Sequence, residues 1–199
     1  RIPFVESPAG GTGGWIGADG NNAVRNFAEG DLSSIHPVEG IELRWPLRVE
    51  RCALRADSGG AGKHRGGLGL EREIRVLAPG ATLSVLSDKN LIPPYGVNGG
   101  HAGAPNRFLV RRGGQVMEPS ANPGKVTAFP LEQGDVVIMR TAGGGGFGDP
   151  LERDPESVRR DRAFGYVSAE AAAEIYGVDD DAAATAGRRE RIKQAQIRL

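Results

Sequence analysis

Apolar and polar residues alternate in short runs through the middle of the chain. Trp45, Leu47 and Val49, for example, alternate with Arg48 and Glu50. A period of two predicts a strand with one buried face. The same pattern predicts six short strands, near residues 45–50, 68–76, 81–86, 107–111, 125–129 and 135–140. Because no helical pattern separates them, an antiparallel sheet, sandwich or barrel is favoured over alternating strands and helices.

Beyond Pro150 the pattern becomes helical. Asp154-Pro155 supplies an N-cap and a first-turn proline, and Gly165 and Gly177 are typical helix stops. Helices are predicted at 156–163, 169–176 and 182–198. The expected fold class is therefore α+β, predominantly antiparallel β (sandwich- or barrel-like), with Gly-rich loops and short C-terminal helices. We expect a Gly-rich β domain over 1–150, with 1–40 mostly loop, and a C-terminal helical segment over 151–199.

Glycine is the main anomaly of composition. The 31 glycines and 13 prolines make 44 of 199 residues, about 22% against a usual total of about 12%. Of the 31 glycines, 28 precede residue 151 and three follow it. Ordering so much bare backbone is entropically expensive, so the glycine runs are expected to be held by a ligand or by a neighbouring surface.

Charge and cysteine content exclude several classes of function. Lys+Arg and Asp+Glu number 25 each, so no broad field favours nucleic acid or an anionic membrane. The single cysteine, Cys52, cannot form an internal disulfide. No apolar run approaches the length of a membrane-spanning helix. A cytoplasmic protein without nucleic-acid or membrane partners is expected.

The first candidate site is the segment from Asp57 to Arg65, which superficially resembles a phosphate-binding P-loop. A P-loop requires Gly at the position of Asp57, Ser or Thr at that of His64, and a helix afterwards; this segment has none of these. Its glycines could still direct N–H groups at an anion, assisted by nearby cations. The alternative is a tight connection between strands. The candidate substrate- or anion-binding residues here are Asp57, Ser58, Gly59, Gly60, Lys63, His64 and Arg65.

The second candidate site is the run of four glycines, Gly143, Gly144, Gly145 and Gly146. Either its N–H groups approach a ligand closely, or the run packs flush against another chain or domain. A flexible linker is the third possibility, although the run is short and closely flanked by apolar residues.

Metal and nucleophile chemistry have little support. His36, His64 and His101 are far apart and lack the spacing of metal ligands. Cys52 lies in a strand pattern, which favours a packed thiol over an activated one. We therefore assign no catalytic residue and no metal ligand in this chain.

Several uncommon motifs occur in a fixed order. Taken together, they resemble the carboxy-terminal part of the hydantoinase B/oxoprolinase family, and the resemblance covers nearly the whole chain. The motifs are Gly13-Gly14-Trp15 with Asp19-Gly20, Pro37-Val38-Glu39, Pro46 to Arg51, Leu54 to Gly69, Leu86-Ser87-Asp88, Gly99-Gly100, Gly134 to Val137, Thr141 to Pro150, Asp154-Pro155 and Tyr176-Gly177-Val178.

The resemblance implies an ATP-dependent enzyme made of two kinds of subunit. An A-type, ATP-binding subunit phosphorylates the substrate, and the B-type subunit completes hydrolysis of a hydantoin, oxoproline or lactam, or carboxylation of a ketone such as acetone or acetophenone. ATP and a divalent metal are expected elsewhere in the complete enzyme, the metal in the amino-terminal part of the B-type subunit. The implied partners are that amino-terminal part, the A-type subunit and a small-molecule substrate. The segment alone is expected to be inactive, and a non-catalytic assembly module is the rival hypothesis.

Overall fold

Seven strands form two antiparallel sheets in the part of the chain that the computed structural model describes, residues 3–24 and 35–197. One sheet has the order β1-β2-β7-β4-β5, and the other pairs β3 with β6. The strands are β1 Leu47–Leu54, β2 Leu70–Val76, β3 Thr82–Leu86, β4 Arg107–Arg112, β5 Gln115–Met117, β6 Lys125–Pro130 and β7 Val136–Arg140. The predicted α+β class is confirmed. The larger sheet is open, with β1 and β5 as edges, so the barrel variant of that prediction is not the one observed.

The two sheets share an apolar core. Ile74 and Val76 of β2 and Val137 and Met139 of β7 are buried at its centre, and Phe129 of β6 packs against them from the smaller sheet. β2 alternates strictly between buried and partly exposed positions, as the sequence pattern predicts. Both faces of β7 are buried over Val136 to Met139, which explains its unbroken apolar sequence.

Four α-helices are present among the described residues: α1 Val38–Arg44, α2 Pro155–Ala163, α3 Ala169–Glu174 and α4 Ala182–Ile197. The last three agree with the predicted helices, although residue 198 lies outside the described residues. α1 was not predicted, and it begins inside the segment expected to be mostly loop. It lacks a side-chain N-cap and contains Gly40, and it is held by its completely buried Ile41. Residues 25–34 of the same segment lie outside the described residues.

The C-terminal helices pack directly on the glycine-rich part of the chain. Ala61, from the connection between β1 and β2, belongs to the same buried cluster as Val158, Val167 and Tyr176. This contact places α2 and α3 beside the first candidate site. None of the helices in the described ranges combines the length and apolarity that crossing a membrane requires.

Candidate functional site

Both candidate segments belong to one structure, which we call the glycine layer. It consists of four extended segments, residues 10–20, 58–69, 94–103 and 141–148. Their backbones lie so close together that side chains cannot fit between them. A Cβ atom on Gly144 would lie 1.8 Å from the carbonyl oxygen of Thr12, and one on Gly66 would lie 2.0 Å from that of Gly144. Real Cβ atoms essentially never approach a backbone oxygen this closely, so glycine is required by packing.

The central segment of the layer, residues 141–148, has a repeat of three residues. A Cβ on Gly143 would meet the carbonyl oxygen of Ser58, and a Cβ on Gly146, three residues later, would meet that of Ala61 in the same neighbouring segment. Gly145 instead faces the carbonyl oxygen of Tyr95. A repeat of three matches an extended helix with three residues per turn and no internal hydrogen bonds. Such a segment must find its hydrogen-bond partners in its neighbours.

Hydrogen bonds between the four segments supply these partners. The N–H groups of Gly143, Gly144 and Gly146 donate to the carbonyl oxygens of Ala104, Gly67 and His101, at 3.1, 2.9 and 2.9 Å. The carbonyl oxygens of Gly144, Gly145 and Gly146 accept from Gly60, Gly14 and Val97, at 2.8, 2.8 and 2.9 Å. Within the described residues, the N–H group of Gly145 is the one donor of this run that has no acceptor.

The surface that orders the glycine runs is therefore supplied by the chain itself. The flexible-linker alternative does not describe residues 143–146, which are buried and bonded on several sides. Three of their four N–H groups are already donated to protein carbonyls, so a ligand could bind them only by displacing those bonds. Binding of an anion to these residues stays a prediction, with Gly145 as the remaining backbone donor.

Asp57 and Ser58 connect the glycine layer to its surroundings. Asp57 has a positive φ of 56°, its N–H donates to the carbonyl oxygen of Tyr166 at 3.0 Å, and its Oδ1 accepts from the N–H of Ser168 at 2.8 Å. The buried hydroxyl of Ser58 accepts from the N–H of Gly69 and donates to the carbonyl oxygen of Arg55. These contacts fix the connection between β1 and β2 against the start of α3.

Lys63 and His64 are the candidate cations that remain at the edge of the layer. The Lys63 side chain is 50% exposed, with Nζ 3.2 Å from the Glu152 Oε2 atom. Nε2 of His64 accepts a hydrogen bond from the N–H of Gly17 at 3.2 Å. A neutral imidazole that accepts at Nε2 carries its proton on Nδ1, so Nδ1–H is the donor that His64 can offer to a ligand.

Arg65, the third candidate cation, points into the protein. Its side chain is 4% exposed, and Nε lies 3.3 Å from Asp161 Oδ2. Nη1 donates to the carbonyl oxygen of Gly66 at 2.6 Å, and the guanidinium lies over the ring of Tyr166. The donors of Arg65 thus stabilise the layer from below.

Arg65 is one member of a buried charge network that sequence reasoning missed. Arg153, just after the second candidate segment, donates to both carboxylate oxygens of Asp19 at 2.6 Å. It also donates to Asp161 Oδ2 at 2.7 Å and to the carbonyl oxygen of Lys63 at 3.1 Å. Asp19 in turn accepts from the N–H of Arg65 at 2.7 Å. The network fixes the backbone on either side of His64.

The surroundings of the network shift the pKa values of its members. Burial alone would raise the pKa of Asp19, but hydrogen bonding to Arg153, the Arg153 charge and the N–H of Arg65 together hold it below the ordinary value of 3.8. Burial would lower the pKa of Arg153, but the bonds to Asp19 and the charge of Asp161 raise it. Burial raises the pKa of Tyr176 to about 12. Asp19 and Arg153 therefore stay charged at neutral pH, and Tyr176 stays neutral.

The donor set of the chain does not fit a metal ion. In the described ranges, no three His, Cys, Asp or Glu side chains form a group that could hold one. The segment from Asp57 to His64 leads into β2, so it also lacks the helix that follows the phosphate loop of ATP-binding proteins. We accordingly derive no step through a metal or ATP bound by these residues.

Comparisons with known proteins agree with the ordered motifs of the sequence. The family model described as "Hydantoinase B/oxoprolinase" matches residues 1–150. A Pseudomonas protein, named as the B-type subunit of a D-/L-hydantoinase, is 34% identical over 175 residues, which are 88% of this chain and 29% of the relative. This chain thus spans less than a third of the length of that relative.

Two solved structures share the fold. An acetone carboxylase in a nucleotide-free state superimposes with a TM-score of 0.81 at 26% identity, covering 95% of this chain and 30% of that one. The ATP-dependent caprolactamase from Pseudomonas jessenii gives a TM-score of 0.71 at 29% identity, covering 92% of this chain and 33% of the other. In both proteins the same fold occurs within a chain about three times as long.

Proposed function

We propose that this chain, which belongs to the hydantoinase B/oxoprolinase family, is part of the B-type subunit of an ATP-dependent cyclic amide hydrolase. Its substrate would be a hydantoin, an oxoproline or a lactam. The proposed partners are the remainder of the B-type subunit and an A-type subunit that binds ATP. When bound there, ATP supplies a phosphoryl group that makes the amide carbon easier to attack.

The observation that carries a specific role is the position of Lys63 and His64 on the glycine layer. Both residues lie at its edge, and the peptide between them and Arg65 is held by Arg153 and Asp19. A donor that is held in place before the reaction stabilises developing charge without reorganisation. We propose that Lys63 and His64 face the phosphorylated, anionic substrate.

The two side chains would have different tasks. The Lys63 ammonium group offers a compact positive charge to the phosphoryl oxygens of the substrate. The His64 Nδ1–H can donate a hydrogen bond to the oxygen on the amide carbon, or give a proton to the nitrogen that leaves as the ring opens. Neither task requires His64 to be charged before the substrate arrives.

A carboxylase is the second candidate function, because the acetone carboxylase structure superimposes on this chain with a TM-score of 0.81. The site would then hold an anionic enol phosphate rather than a phosphorylated amide. Assays of the complete enzyme with ATP distinguish the two candidates. Ring opening of hydantoin, 5-oxoproline or caprolactam supports the hydrolase, whereas bicarbonate-dependent consumption of acetone supports the carboxylase.

Variants of the complete enzyme test the site itself. We expect Lys63→Ala and His64→Ala to lower turnover, the latter about 100-fold, as for loss of a positioned proton donor, with subunit assembly unchanged. Lys125→Ala is the matched control, because the Lys125 side chain is 51% exposed and also pairs with one exposed carboxylate, Asp88. If neither Lys63→Ala nor His64→Ala lowers turnover more than the control, the layer is an assembly module and the proposed site is wrong.

A further inference from the structure

A patch of exposed apolar side chains lies along one side of the glycine layer. We call it the apolar rim, and it consists of Trp15, Ile16, Leu91, Ile92, Tyr95 and Val97. These side chains are between 43% and 80% exposed. Single exposed apolar residues are common on protein surfaces, but a cluster of this kind marks an interface.

Two parts of the rim meet at the second candidate segment. The N–H of Gly14, next to Trp15, donates to the carbonyl oxygen of Gly145 at 2.8 Å, and Gly145 also faces the backbone of Tyr95. The N–H of Val97 donates to the carbonyl oxygen of Gly146 at 2.9 Å. The rim therefore stands on rigid, hydrogen-bonded backbone, and docking onto it would require little ordering.

The chemistry of the rim indicates an apolar partner. The stretch Leu91-Ile92-Pro93-Pro94-Tyr95-Gly96-Val97 contains no charged residue. Its prolines restrict the backbone of the loop between β3 and β4. A partner surface that brought charged groups against this stretch would lose their hydration without gaining an ion pair.

We propose that the remainder of the B-type subunit covers the apolar rim. This inference rests on the proposed function. The same fold accounts for 30% of the acetone carboxylase chain and 33% of the caprolactamase chain, so most of such a subunit lies outside this fold. Polypeptide linked to the fold in one chain has an effective concentration of about 1 mM or more, well above that of a separate protein. It therefore reaches an exposed apolar surface before a second copy or another subunit does.

Hydroxyl-radical footprinting followed by mass spectrometry tests this inference. Three samples are compared: the 199-residue chain, the complete B-type subunit alone, and that subunit with its A-type partner. We expect oxidation of Tyr95 and Trp15 to fall about tenfold between the first and second samples, as for residues moved into an interface core. Tyr176, which is 2% exposed, should stay unreactive in all three and reports that the fold is intact.

Each other outcome overturns the inference. Protection that appears only with the A-type subunit assigns the rim to that subunit, and protection that depends on the concentration of the 199-residue chain assigns it to a second copy. Equal oxidation in all samples means that nothing covers the rim. The footprint does not depend on turnover, so an inactive enzyme with a protected rim contradicts the proposed function alone, and an active enzyme with an oxidised rim contradicts this inference alone.

A double variant of the complete subunit gives a second measurement that does not need the short chain. Ile92→Ser/Tyr95→Ser should lower its unfolding temperature by several degrees, because apolar surface that was buried in the subunit is replaced by hydroxyl groups. Phe164→Ser is the matched control, since Phe164 is 64% exposed and lies at the end of α2, away from the rim. An unfolding temperature that falls no further than in the control contradicts burial of the rim.

Discussion

At the scale of single residues, glycine identity within the glycine layer is set by neighbouring backbone. A Cβ on Gly145 would lie 1.8 Å from the carbonyl oxygen of Tyr95, whereas a Cβ on Gly13 would have its nearest neighbour, the carbonyl oxygen of Gly145, at 3.8 Å. The two glycines belong to adjacent segments of the same layer. They consequently form a matched pair in which only the available space differs.

We expect Gly145→Ala to destabilise the chain by about 3 kcal/mol or more, at the upper end of overpacking effects, and Gly13→Ala to change stability by less than about 1 kcal/mol. Urea unfolding of both variants gives the comparison. Equal stabilities would show that the segments can separate at little cost, which contradicts a rigid layer. The large effect expected also means that lost turnover in Gly145→Ala would not by itself indicate a ligand at Gly145.

Arg153 is the second residue whose replacement should have a large effect. Arg153→Met leaves the carboxylates of Asp19 and Asp161 without their shared partner, and removing one member of a buried ion pair costs about 3–5 kcal/mol. The pKa of Asp19 in the folded chain is lowered, mainly by Arg153 against the effect of burial. A lowered folded-state pKa contributes stability above the unfolded-state value and loses it as the pH falls through the folded-state value.

The difference in unfolding free energy between wild type and Arg153→Met should therefore be greatest near pH 7 and should shrink below pH 3.8, the ordinary pKa of Asp19. Urea unfolding at a series of pH values measures it. Other carboxylates with lowered pKa values, such as Asp135 and Asp154, act in both proteins and cancel in the difference. A difference that stays constant down to about pH 2 would show that packing of Arg153, and not its charge, is responsible.

At the scale of secondary structure, much of the fold could be predicted from the sequence. Six strands follow from alternation, and three helices from caps, proline and glycine. β5, with three residues, is too short to show a period, and its partner β4 supplies the reason that it is a strand. α1 depends on burial of Ile41. Elements that are specified by local pattern were predictable, and those specified by tertiary contacts were not.

The start of α2 illustrates a local signal with a measurable effect. Asp154 accepts from the N–H and the hydroxyl of Ser157, both at 3.0 Å, and Pro155 occupies the first helical position. These bonds lower the pKa of Asp154. Asp154→Ala should lower the unfolding free energy by about 1 kcal/mol, measured by urea unfolding at pH 7. Asp154→Ser retains a capping oxygen and should recover most of the loss; equal loss in both variants would contradict the capping role.

At the scale of the whole molecule, the sequence indicated that the glycine runs are ordered but not what orders them. The central segment 141–148 is surrounded by segments that begin at residues 10, 58 and 94, so its neighbours are up to about 130 positions away in sequence. The Asp19–Arg153 pair spans 134 residues. No local spacing encodes such contacts, which is why Lys63 and His64 could be proposed from the sequence while the network that positions them could not.

The contacts across residue 150 predict that the 199-residue chain unfolds as one cooperative unit, although composition changes there and the family model ends there. Ala61 shares a buried cluster with Val158 and Tyr176, and Arg153 bonds to Asp19 and to the carbonyl oxygen of Lys63. Truncation after Pro150 would expose that cluster and leave Asp19 without its partner.

We therefore expect a single calorimetric transition for the 199-residue chain, with equal calorimetric and van't Hoff enthalpies. The truncated chain 1–150 should lose its cooperative transition or unfold at a temperature lower by far more than one substitution causes. Two separate transitions in the full chain, or an unchanged transition in the truncated one, would show that residues 1–150 and 151–199 are independent domains. In that case the position of the Lys63–His64 peptide would not depend on Arg153, and the network could not be what holds the proposed site in place.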